Sequence, residues 1–343
     1  MISLTDKSFR ENLFPFTHTR HAADIRIGIL TIKQKWELLL GQKVNLEDTT
    51  STTLIPASII PTLANYKTII ETAKKNDFLV ESEHVKIISF PWHIFQLNDY
   101  VLRQDYLLLT QNKTSALIND TVKVLGAENI FVHDKALLNH CILNATTGPI
   151  YIDEHAQIME GSTIRGPFYL GQNSIVKMGA KIYGATTIGP NCVVGGEIKN
   201  SVIFGNTNKA HDGYLGDSVV GEWCNLGAGT SNSNVKNTGG NIGYMLEQDT
   251  QAIYAGNKGG LLMADYSRAA INTAFNTGTV VGVSCNVFGS NMPAKYIDNF
   301  TWGNEQYLFD KVIVDIDNWK KMKGKQITNT EIDLLKKLYE NTN

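Results

Sequence analysis

The stretch KAHDGYLG, residues 209–216, carries one histidine among residues that bind and orient polar ligands. His211 lies between Lys209, Asp212 and Tyr214 in the sequence. An imidazole changes charge near neutral pH, so it can take a proton from a nucleophile and later release it. A lone histidine in a polar loop is more often a solvated surface residue. His211 is therefore a candidate general base, and its role depends on the elements that position it.

The sequence before this stretch repeats every six residues. Aliphatic side chains recur eight times in succession, at Ile152, Ile158, Ile164, Leu170, Val176, Ile182, Ile188 and Val194. The positions four residues after each of them are mostly small, at Ala156, Ser162, Phe168, Ser174, Ala180, Thr186, Cys192 and Ile198. A period of six fits neither an α-helix nor a simple hairpin. It is typical of short strands and turns stacked into a prism, with the aliphatic side chains inside.

The six-residue step changes phase twice. It returns in a second and then a third phase, at Val220 and Leu226 and at Ile271, Thr277 and Val283. We interpret each change as an insertion, the first holding IFGNTNKAHDGYLG and the second, from about Ser231 to Tyr266, holding SNSNVKNTGGN. Excursions from the wall of a solenoid can carry binding groups without disturbing the stack. The two insertions are therefore the predicted places for a functional site.

The N-terminal region has a different composition. Only Gly28 and Gly41 of the 29 glycines precede residue 126, so this region turns seldom. IRIGIL alternates like a strand, Thr31 and Gln34 form a capping box, and Gly41 supplies a helix stop. Helices are also predicted over TLANYKTIIETAKKND, WHIFQLNDYVLRQDYLLLT and, near the C-terminus, TEIDLLKKLYEN, with a strand over HVKIISF. We expect a mixed α/β region ahead of the prism.

The segment from Glu197 to Asn234, EIKNSVIFGNTNKAHDGYLGDSVVGEWCNLGAGTSNSN, resembles a known family. It is similar to the acetyltransferase half of the bifunctional N-acetylglucosamine-1-phosphate uridyltransferase/glucosamine-1-phosphate acetyltransferases and to archaeal relatives. That family has K-A/G-H-x-x-Y-[LV]-G-D, then N-[IVL]-G-A-G-T, then an asparagine at this spacing. The resemblance implies a left-handed parallel β-helix, a homotrimer, and acetyl transfer from acetyl-CoA to an amino-sugar phosphate or a nucleotide-linked amino sugar.

The resemblance assigns the proton transfer and the donor contact. The family's base, which deprotonates the sugar amine, falls on His211, and Asn234 is its expected partner in the catalytic set. An amine that is protonated at neutral pH must lose a proton before it attacks, which agrees with an imidazole base. Ala228, in the G-A-G turn, falls on a residue that meets acetyl-CoA.

The resemblance also assigns the contacts to the acceptor. Lys199 falls on a lysine that contacts the sugar phosphate, and Tyr214, Asn225 and Asn234 fall on residues that bind the acceptor sugar. An arginine that grips the phosphate in the family falls on Lys181. Lysine keeps the charge but loses the two-pronged geometry of arginine. Where the family has several lysines after the asparagine, this chain has Lys236 followed by NTGGNIGY.

FPFTHTRHAADIRIGILTIKQKW resembles the divergent nucleotidyltransferase-like domain found ahead of such prisms. Ordinary members of that superfamily follow their first strand with a G-x-G-T-R loop whose N–H groups hold phosphates. Here the equivalent stretch, LTDKSFRENLFPFT, has no glycine, and no clear G-D pair is present to hold the Mg²⁺ that an active domain would need. Four basic residues are candidates for phosphate binding, with surface or salt-bridge roles as the alternative for each. They are Arg10, Arg20, Arg26 and Lys35.

Composition limits the other functions. The formal net charge of −2 gives no pull toward nucleic acid or a membrane surface, and no apolar run is long enough to cross a membrane. The four scattered cysteines fit a reducing cytoplasm. We divide the chain into a nucleotidyltransferase-like domain (1–120), a β-helix (121–305) and a C-terminal tail with a helix (306–343).

Three alternatives to acetyl transfer stay open. One is sugar-1-phosphate nucleotidyl transfer in the N-terminal region. The second is a non-catalytic protein that binds sugar nucleotides or assembles with others. The third and weakest is a prism-type carbonic anhydrase, because His133, His140 and His155 lack the spacing that three metal-binding histidines need.

Overall fold

The computed structural model describes residues 2–342 except Thr49, Thr52, Asn76, Phe78 and Asp249. Residues 123–306 wind through three sheets whose strands are parallel, except for Glu305–Gln306 at the end of the third sheet. As far as Tyr214–Gly216, each coil contributes one short strand to each sheet in turn. We call these sheets the first, second and third faces, in the order in which the chain enters them. This is a parallel β-helix with a triangular section, as the six-residue period predicts; its handedness stays a prediction from the resemblance.

The strands of the three faces are short and regularly spaced. The first face consists of Lys123–Leu125, Ile142–Asn144, Thr163–Arg165, Lys181–Tyr183, Glu197–Lys199 and Tyr214–Gly216. The second consists of Ile130–Val132, Ile150–Ile152, Phe168–Leu170, Thr186–Ile188, Val202–Ile203, Val219–Val220, Leu261–Met263, Thr279–Val281 and Tyr296–Ile297. The third consists of Leu137–Leu138, Gln157–Ile158, Ile175–Val176, Val193–Val194, Asn208–Lys209, Asn225–Leu226, Arg268–Ala269, Asn286–Val287, Thr301–Trp302 and Glu305–Gln306.

The repeating aliphatic residues form the interior of the coil. All eight, from Ile152 to Val194, are buried in one core. On the second face, for example, Ile152, Leu170 and Ile188 stack in register. Each buried aliphatic side chain contributes about 1.5–3 kcal/mol relative to exposure, so the interior column is the main source of cohesion along the coil.

The predicted third phase of the repeat is wrong by two residues. Ile271 is 69% exposed and lies in a turn, whereas the interior residues of the last coils are Met263, Ala269, Phe275, Val281 and Val287, again six apart. Thr277 and Val283 are buried, but neither is a member of this core. The prediction fails because the second insertion shifts the register by an amount that the spacing of aliphatic residues alone does not reveal.

The predicted insertion at IFGNTNKAHDGYLG is wrong. First-face strands that begin at Lys181, Glu197 and Tyr214 are 16 and 17 residues apart, against 18 for the preceding pair. The phase changes here because these coils are shorter than the standard one. Among the corners that join the third face to the first, the shortest consists of Gly195 and Gly196, between Val193–Val194 and Glu197–Lys199.

The second predicted excursion is present. Strand Ser231–Asn232 pairs with Ala274–Phe275, and between them the chain leaves the wall before it returns at Leu261–Met263. The excursion contains an antiparallel hairpin of Ile242–Tyr244 and Ile253–Gly256. Tyr244 anchors it, fully buried and with its ring 5.3 Å from that of Trp92.

The N-terminal region is mixed α/β. A parallel sheet has Ile2–Thr5 in the centre, with Asn45–Leu46 and Thr53–Pro56 on either side. Two hairpins pair Arg26–Ile27 with Leu30–Thr31 and Ile59–Ile60 with Lys86–Ile87. The helices are α1 (Ile32–Leu40), α2 (Tyr66–Lys74), α3 (His93–Gln96) and α4 (Asn98–Thr110), and 3₁₀ turns span Glu11–Leu13, Phe16–His18, Ala22–Asp24 and, after this region, Ala127–Asn129.

Several local predictions are confirmed here and others are corrected. The capping box of Thr31 and Gln34 is present at the start of α1, and Gly41 ends that helix with a φ of 65°. IRIGIL is a hairpin and not one strand, because Gly28, with a φ of 68°, turns the chain back. The helix predicted over residues 92–110 is divided into α3 and α4 at Leu97.

The N-terminal region covers the second face. Asn98, fully buried, accepts from Gly28 N–H at 2.8 Å and donates to Ala185 O at 2.7 Å on the β-helix. Thr187 in turn donates to Gly28 O at 2.8 Å. Apolar residues of the second face share one core with the N-terminal region, namely Val202, Val219, Leu262 and Val280. The two parts are therefore packed together along a long seam; the domain boundaries at residues 120 and 305 stay a prediction.

Two helices follow the last coil, where the sequence predicts one. They are α5 (Phe309–Lys321) and α6 (Asn329–Thr342), and the predicted TEIDLLKKLYEN lies inside α6. Lys323, between them, donates to Asn191 O and Asn208 Oδ1 on the β-helix at 2.7 and 3.1 Å. The helices thus cover part of the third face. In the described part of the chain, no helix has the length and apolar character needed to cross a membrane.

Candidate active site

His211 lies at an edge of the β-helix. Residues 210–213 form the corner between the third and first faces, and the His211 side chain is exposed there. The corners of the next two coils stack on it: Gly229 N–H donates to Asp212 O at 2.9 Å, and Asn272 N–H donates to Ala228 O at 2.7 Å. His211 and Ala228, predicted for the amine and for acetyl-CoA, therefore lie on one edge in successive coils.

The corner of His211 rests on the short glycine corner of the preceding coil. Gly196 has a φ of 72°, and a Cβ placed there would lie 2.8 Å from His211 O and 2.9 Å from Asp212 Cα. A Cβ on Gly195 would lie 2.7 Å from Ala210 O. Glycine is needed at Gly196 for both its conformation and the close approach. Sequence analysis did not assign a role to this pair.

Tyr214 and Asn234 are brought into contact. Asn234 Nδ2 lies 3.1 Å from the Tyr214 hydroxyl and donates to Asp217 Oδ2 at 2.5 Å. Asp217 is buried, and its other oxygen accepts from Asn200 Nδ2 at 2.6 Å. Asp217 and Asn200 were not predicted as site residues. The signal for Asp217 was the final aspartate of K-A/G-H-x-x-Y-[LV]-G-D.

The carboxylate fixes which way the Asn234 amide faces. A carboxylate only accepts hydrogen bonds, so Nδ2 of Asn234 must be the atom that faces Asp217. Both hydrogens of Nδ2 are then directed at protein oxygens. Asn234 Oδ1 is the atom available to accept a hydrogen bond from a bound sugar.

Tyr214 is held in its neutral form. Burial, followed by the negative charges of Asp217 and Glu197, raises the pKa of Tyr214 to about 12. Its ring lies over Gly216, where a Cβ would come within 2.2 Å of the hydroxyl. The phenol can therefore bind a ligand through a hydrogen bond at neutral pH and does not act as a base.

Asn232 supports this cluster from inside the coil. Its buried amide accepts from Gly216 N–H at 2.9 Å and donates to Gly216 O at 3.0 Å, as a neighbouring strand would. It occupies the interior position six residues after Leu226, where an aliphatic residue is the rule. Sequence analysis missed this role, because an asparagine in SNSN resembles a polar turn.

The two predicted phosphate contacts lie on the first face. Lys181 stands in register with Glu197 and Tyr214, whereas Lys199 stands in the neighbouring column with Tyr183. The residue between these columns in each strand, such as Ile182 or Ile198, is buried in the core, so Lys181 and Lys199 point outward and are exposed. Two ammonium groups on one outward surface suit a phosphate.

Asn225 and Lys236 lie elsewhere. Asn225 is on the third face, in register with Asn208 and Arg268. Among the hydrogen bonds of the described residues, none joins Asn225 to Tyr214 or Asn234. Lys236 is in the excursion, where its ammonium donates to Asn241 O. The structure therefore places His211 and Ala228 at the edge between the third and first faces, with Tyr214 at the start of the first-face strand that follows. Asn234 contacts Tyr214 across this face and bonds to Asp217 in the corner between the first and second faces, whereas Asn225 lies on the third face.

The four basic residues of the N-terminal region have protein partners. Arg10 pairs with Asp6, and the buried Arg20 pairs with Asp265. Arg26 donates to the backbone oxygens of Phe204 and Ile29. Lys35 is fully buried and pairs with Asp105. A phosphate would have to displace these partners, so the geometry favours structural roles.

The carboxylate of Glu47 lies at the C-terminal ends of the strands in the N-terminal sheet. Glu47 accepts from Asp6 N–H at 2.7 Å, from His21 Nε2 at 2.9 Å and from the Thr5 hydroxyl at 3.1 Å. Burial would raise the pKa of Glu47, but these hydrogen bonds, with the charge of His21, lower it to about 2. The Glu47 carboxylate thus occupies the hydrogen-bond donors of Thr5, Asp6 and His21.

Asp6, His21 and Glu47 form the one set of potential metal ligands that lie close together in the described residues. Its hydrogen bonds do not fit a metal. His21 Nδ1 accepts from Ala23 N–H at 3.0 Å, so the neutral ring carries its proton on Nε2, the atom that faces Glu47. Asp6 Oδ2 is held by Arg10 and by Ala22 N–H. His133, His140 and His155 belong to no such set among the described residues.

Comparisons with known proteins agree with the resemblance. A family model described as sugar nucleotidyl transferase matches residues 2–58. The bifunctional protein GlmU of Methanocaldococcus jannaschii is 28% identical over 118 residues, which is 34% of this chain and 28% of that protein. GlmU of Methanococcus maripaludis is 33% identical over 95 residues, 28% of this chain and 22% of that protein. The resemblance to this bifunctional family is confirmed.

These matches are partial. The matched stretches span less than a third of the length of either relative. Among solved structures, a hexapeptide transferase family protein from Anaplasma phagocytophilum is 14% identical, with a TM-score of 0.20, over 64% of this chain and 92% of that one. The roles of individual site residues therefore depend on the geometry of this chain.

Proposed function

We propose that the β-helix transfers an acetyl group from acetyl-CoA to the amine of an amino-sugar phosphate or of a nucleotide-linked amino sugar. The observation that carries the proposal is the arrangement of residues at the edge between the third and first faces. It holds the exposed His211 one coil away from Ala228 and next to the strand that begins at Tyr214. Relatives named bifunctional protein GlmU support the same class of chemistry.

The acceptor nitrogen loses two protons in the proposed reaction. His211 takes the first, which frees the lone pair of the amine to attack the thioester carbonyl. As the tetrahedral intermediate collapses and the C–S bond breaks, the nitrogen loses its second proton and the departing thiolate gains one to give CoA. The products are an acetamide, CoA and one proton held by His211 and released to solvent, so atoms and charge balance. Asn234 Oδ1 and the Tyr214 hydroxyl orient the sugar, and Lys181 and Lys199 bind its phosphate.

The first test is a purified-protein assay. Acetyl-CoA is offered with a panel of amino-sugar phosphates, and release of free thiol is measured. His211→Ala should lower the rate by about a hundred- to ten-thousand-fold, the usual contribution of a general base, with little change in melting temperature. His133→Ala, a change at the opposite end of the coil, is the matched control. An activity that survives His211→Ala would refute the assignment of the base.

We also propose that the chain works as a homotrimer in the cytoplasm. The N-terminal region covers the second face and α5 and α6 cover part of the third. The first face is left with the exposed apolar side chains of Ile142 and Tyr183, both 41% exposed, and Met178 in the corner before Lys181–Tyr183 is 68% exposed. Flat prism faces pack well around a threefold axis. The four buried thiols fit a reducing compartment. A monomeric mass in light scattering at micromolar concentration would refute the trimer.

A second candidate function is sugar-1-phosphate nucleotidyl transfer in the N-terminal region. The family-model match over residues 2–58 favours it. Glu47 weighs against it, because its carboxylate already takes the donors at the edge of the sheet, and the group with Asp6 and His21 does not fit Mg²⁺. We expect no magnesium-dependent release of pyrophosphate from any common NTP with a sugar-1-phosphate. If the protein releases neither free thiol from acetyl-CoA nor pyrophosphate from an NTP, it is a non-catalytic binding or assembly protein.

A further inference from the structure

Lys209 occupies a position that the repeat reserves for aliphatic residues. It pairs in register with Val194, an interior residue of the coil before it. The side chain is directed into the β-helix, and the residue is only 2% exposed. The sequence analysis treated Lys209 as a polar flank of His211, because the predicted insertion hid its place in the six-residue step.

The ammonium group ties two corners together from inside. Lys209 Nζ donates to His211 O at 2.6 Å and to Gly195 O at 3.2 Å. The first oxygen belongs to the candidate base, and the second to the glycine corner on which the His211 corner rests. Among the described hydrogen bonds, Lys209 is the one side chain that donates to His211 O or to Gly195 O. Lys209 therefore holds the backbone of His211 against the coil below.

Burial of this ammonium is poorly compensated. Its bonds go to neutral carbonyl oxygens, and the described residues provide no carboxylate in ion-pair contact. Burial lowers the pKa of Lys209 to about 8, with Asp212 raising it in part through its charge. An interior position that would accept an aliphatic residue instead carries a charge at a cost in stability. Departures of this kind from local rules are expected at functional sites.

We propose that Lys209 is a positioning residue for the acyl transfer at His211, and this rests on the function proposed above. The lysine fixes the carbonyl of His211 and so limits the positions that the exposed imidazole can reach. A base must stay within about 3 Å of the proton that it takes, so freedom of this corner lowers turnover. Lys209 itself lies inside the wall and touches no reacting atom.

The proposal predicts opposite effects on stability and turnover. Lys209→Met fills the interior with an apolar chain of similar length. We expect an unchanged or higher melting temperature, a 10- to 100-fold lower kcat, and a KM for acetyl-CoA within twofold of the wild type. Amide hydrogen exchange of a peptide covering residues 210–213 should become at least tenfold faster. Lys209→Gln, which keeps one neutral donor, should recover part of the kcat.

Leu226→Met is the matched control, because Leu226 is an interior residue on the same face in the next coil. It should leave kcat and the exchange of residues 210–213 unchanged. If Lys209 has only a structural role, Lys209→Met should lower the melting temperature or prevent folding. Either that result or an unchanged kcat overturns the proposal. If the wild-type protein transfers no acetyl group, the proposed function fails on its own, and the exchange and melting data still decide whether Lys209 orders the corner.

Discussion

The carboxylate of Asp217 lies 2.5 Å from the amide nitrogen of Asn234 and determines which face of that amide meets a ligand. Asp217 is itself buried and is held by Asn200 on its other oxygen. The two residues are 17 positions apart in sequence and meet because one coil of the β-helix separates them. The proposed acceptor-binding residue, Asn234, is thus oriented by a residue that need not touch the acceptor.

Replacing Asp217 with asparagine should weaken acceptor binding more than turnover. The new amide keeps the left-handed backbone that this position requires, at a φ of 46°, because asparagine tolerates that conformation. It can no longer force Nδ2 of Asn234 to face it. Loss of a charge-assisted bond corresponds to about a tenfold rise in the acceptor KM, with kcat changed less. Steady-state kinetics beside the exposed control Asp120→Asn will check this.

The two glycines at neighbouring corners should respond differently to alanine. Gly196 and Gly179 have φ values of 72° and 69°, but a Cβ added at Gly196 would meet backbone atoms within 3 Å, whereas one added at Gly179 would meet nothing within 4 Å. Gly179→Ala should cost about 1 kcal/mol in the free energy of unfolding, for backbone strain alone. Gly196→Ala should cost about 3 kcal/mol or more, because the clash adds to the strain, and displace the His211 corner. Equal costs in denaturant unfolding would contradict the close packing.

Glu47 should make stability depend on pH in the acid range. Its folded pKa of about 2 lies below the ordinary value of 4.5, so its carboxylate stabilises the fold above about pH 4.5 and loses this effect as the pH falls toward 2. After allowance for solvent screening, the contribution is on the order of 1–2 kcal/mol at neutral pH. Glu47→Gln should be less stable than the wild type at pH 7, and the two proteins should converge near pH 2–3. A pH-independent difference in urea unfolding would show that the charge is not responsible.

Asn98 should be important for docking of the N-terminal region. Its amide bonds to Gly28 and Ala185, and it is fully buried between the two parts of the chain. Asn98→Ala leaves these backbone groups unsatisfied, at a cost of about 2–4 kcal/mol, although alanine is the better helix former in α4. The exposed Asn129→Ala is the control. We expect a lower melting temperature and faster proteolysis near residues 111–116 for Asn98→Ala only.

Much of the fold follows from local patterns. The eight aliphatic residues from Ile152 to Val194 predict the coil, because one side chain per six-residue step must face the interior. The capping box at Thr31 and the stop at Gly41 predict α1, because each depends only on residues within one helical turn. The motif around His211 likewise predicts the candidate base and its neighbour Tyr214.

Other features depend on how the coils stack. The two-residue corner at Gly195 and Gly196 shortens one turn and brings Lys209 into the interior, and no spacing of aliphatic residues reveals this. The length of the excursion after Asn232 likewise fixes which residues face inward in the last coils. The buried ion pair of Lys35 with Asp105, and the hydrogen bond from Asp6 N–H to Glu47, join residues that are far apart in sequence.

The sequence by itself determined the period, the end signals of α1 and the identity of the candidate base. Tertiary structure decided the register, the interior place of Lys209 and the contact of Asp217 with Asn234. The physical reason is that a periodic pattern specifies which side chains are buried within a coil, whereas the number of residues in each corner specifies which coil positions lie above one another. Corner lengths are set by close backbone contacts such as that of Gly196 with His211 O, which exist only after the coils have closed.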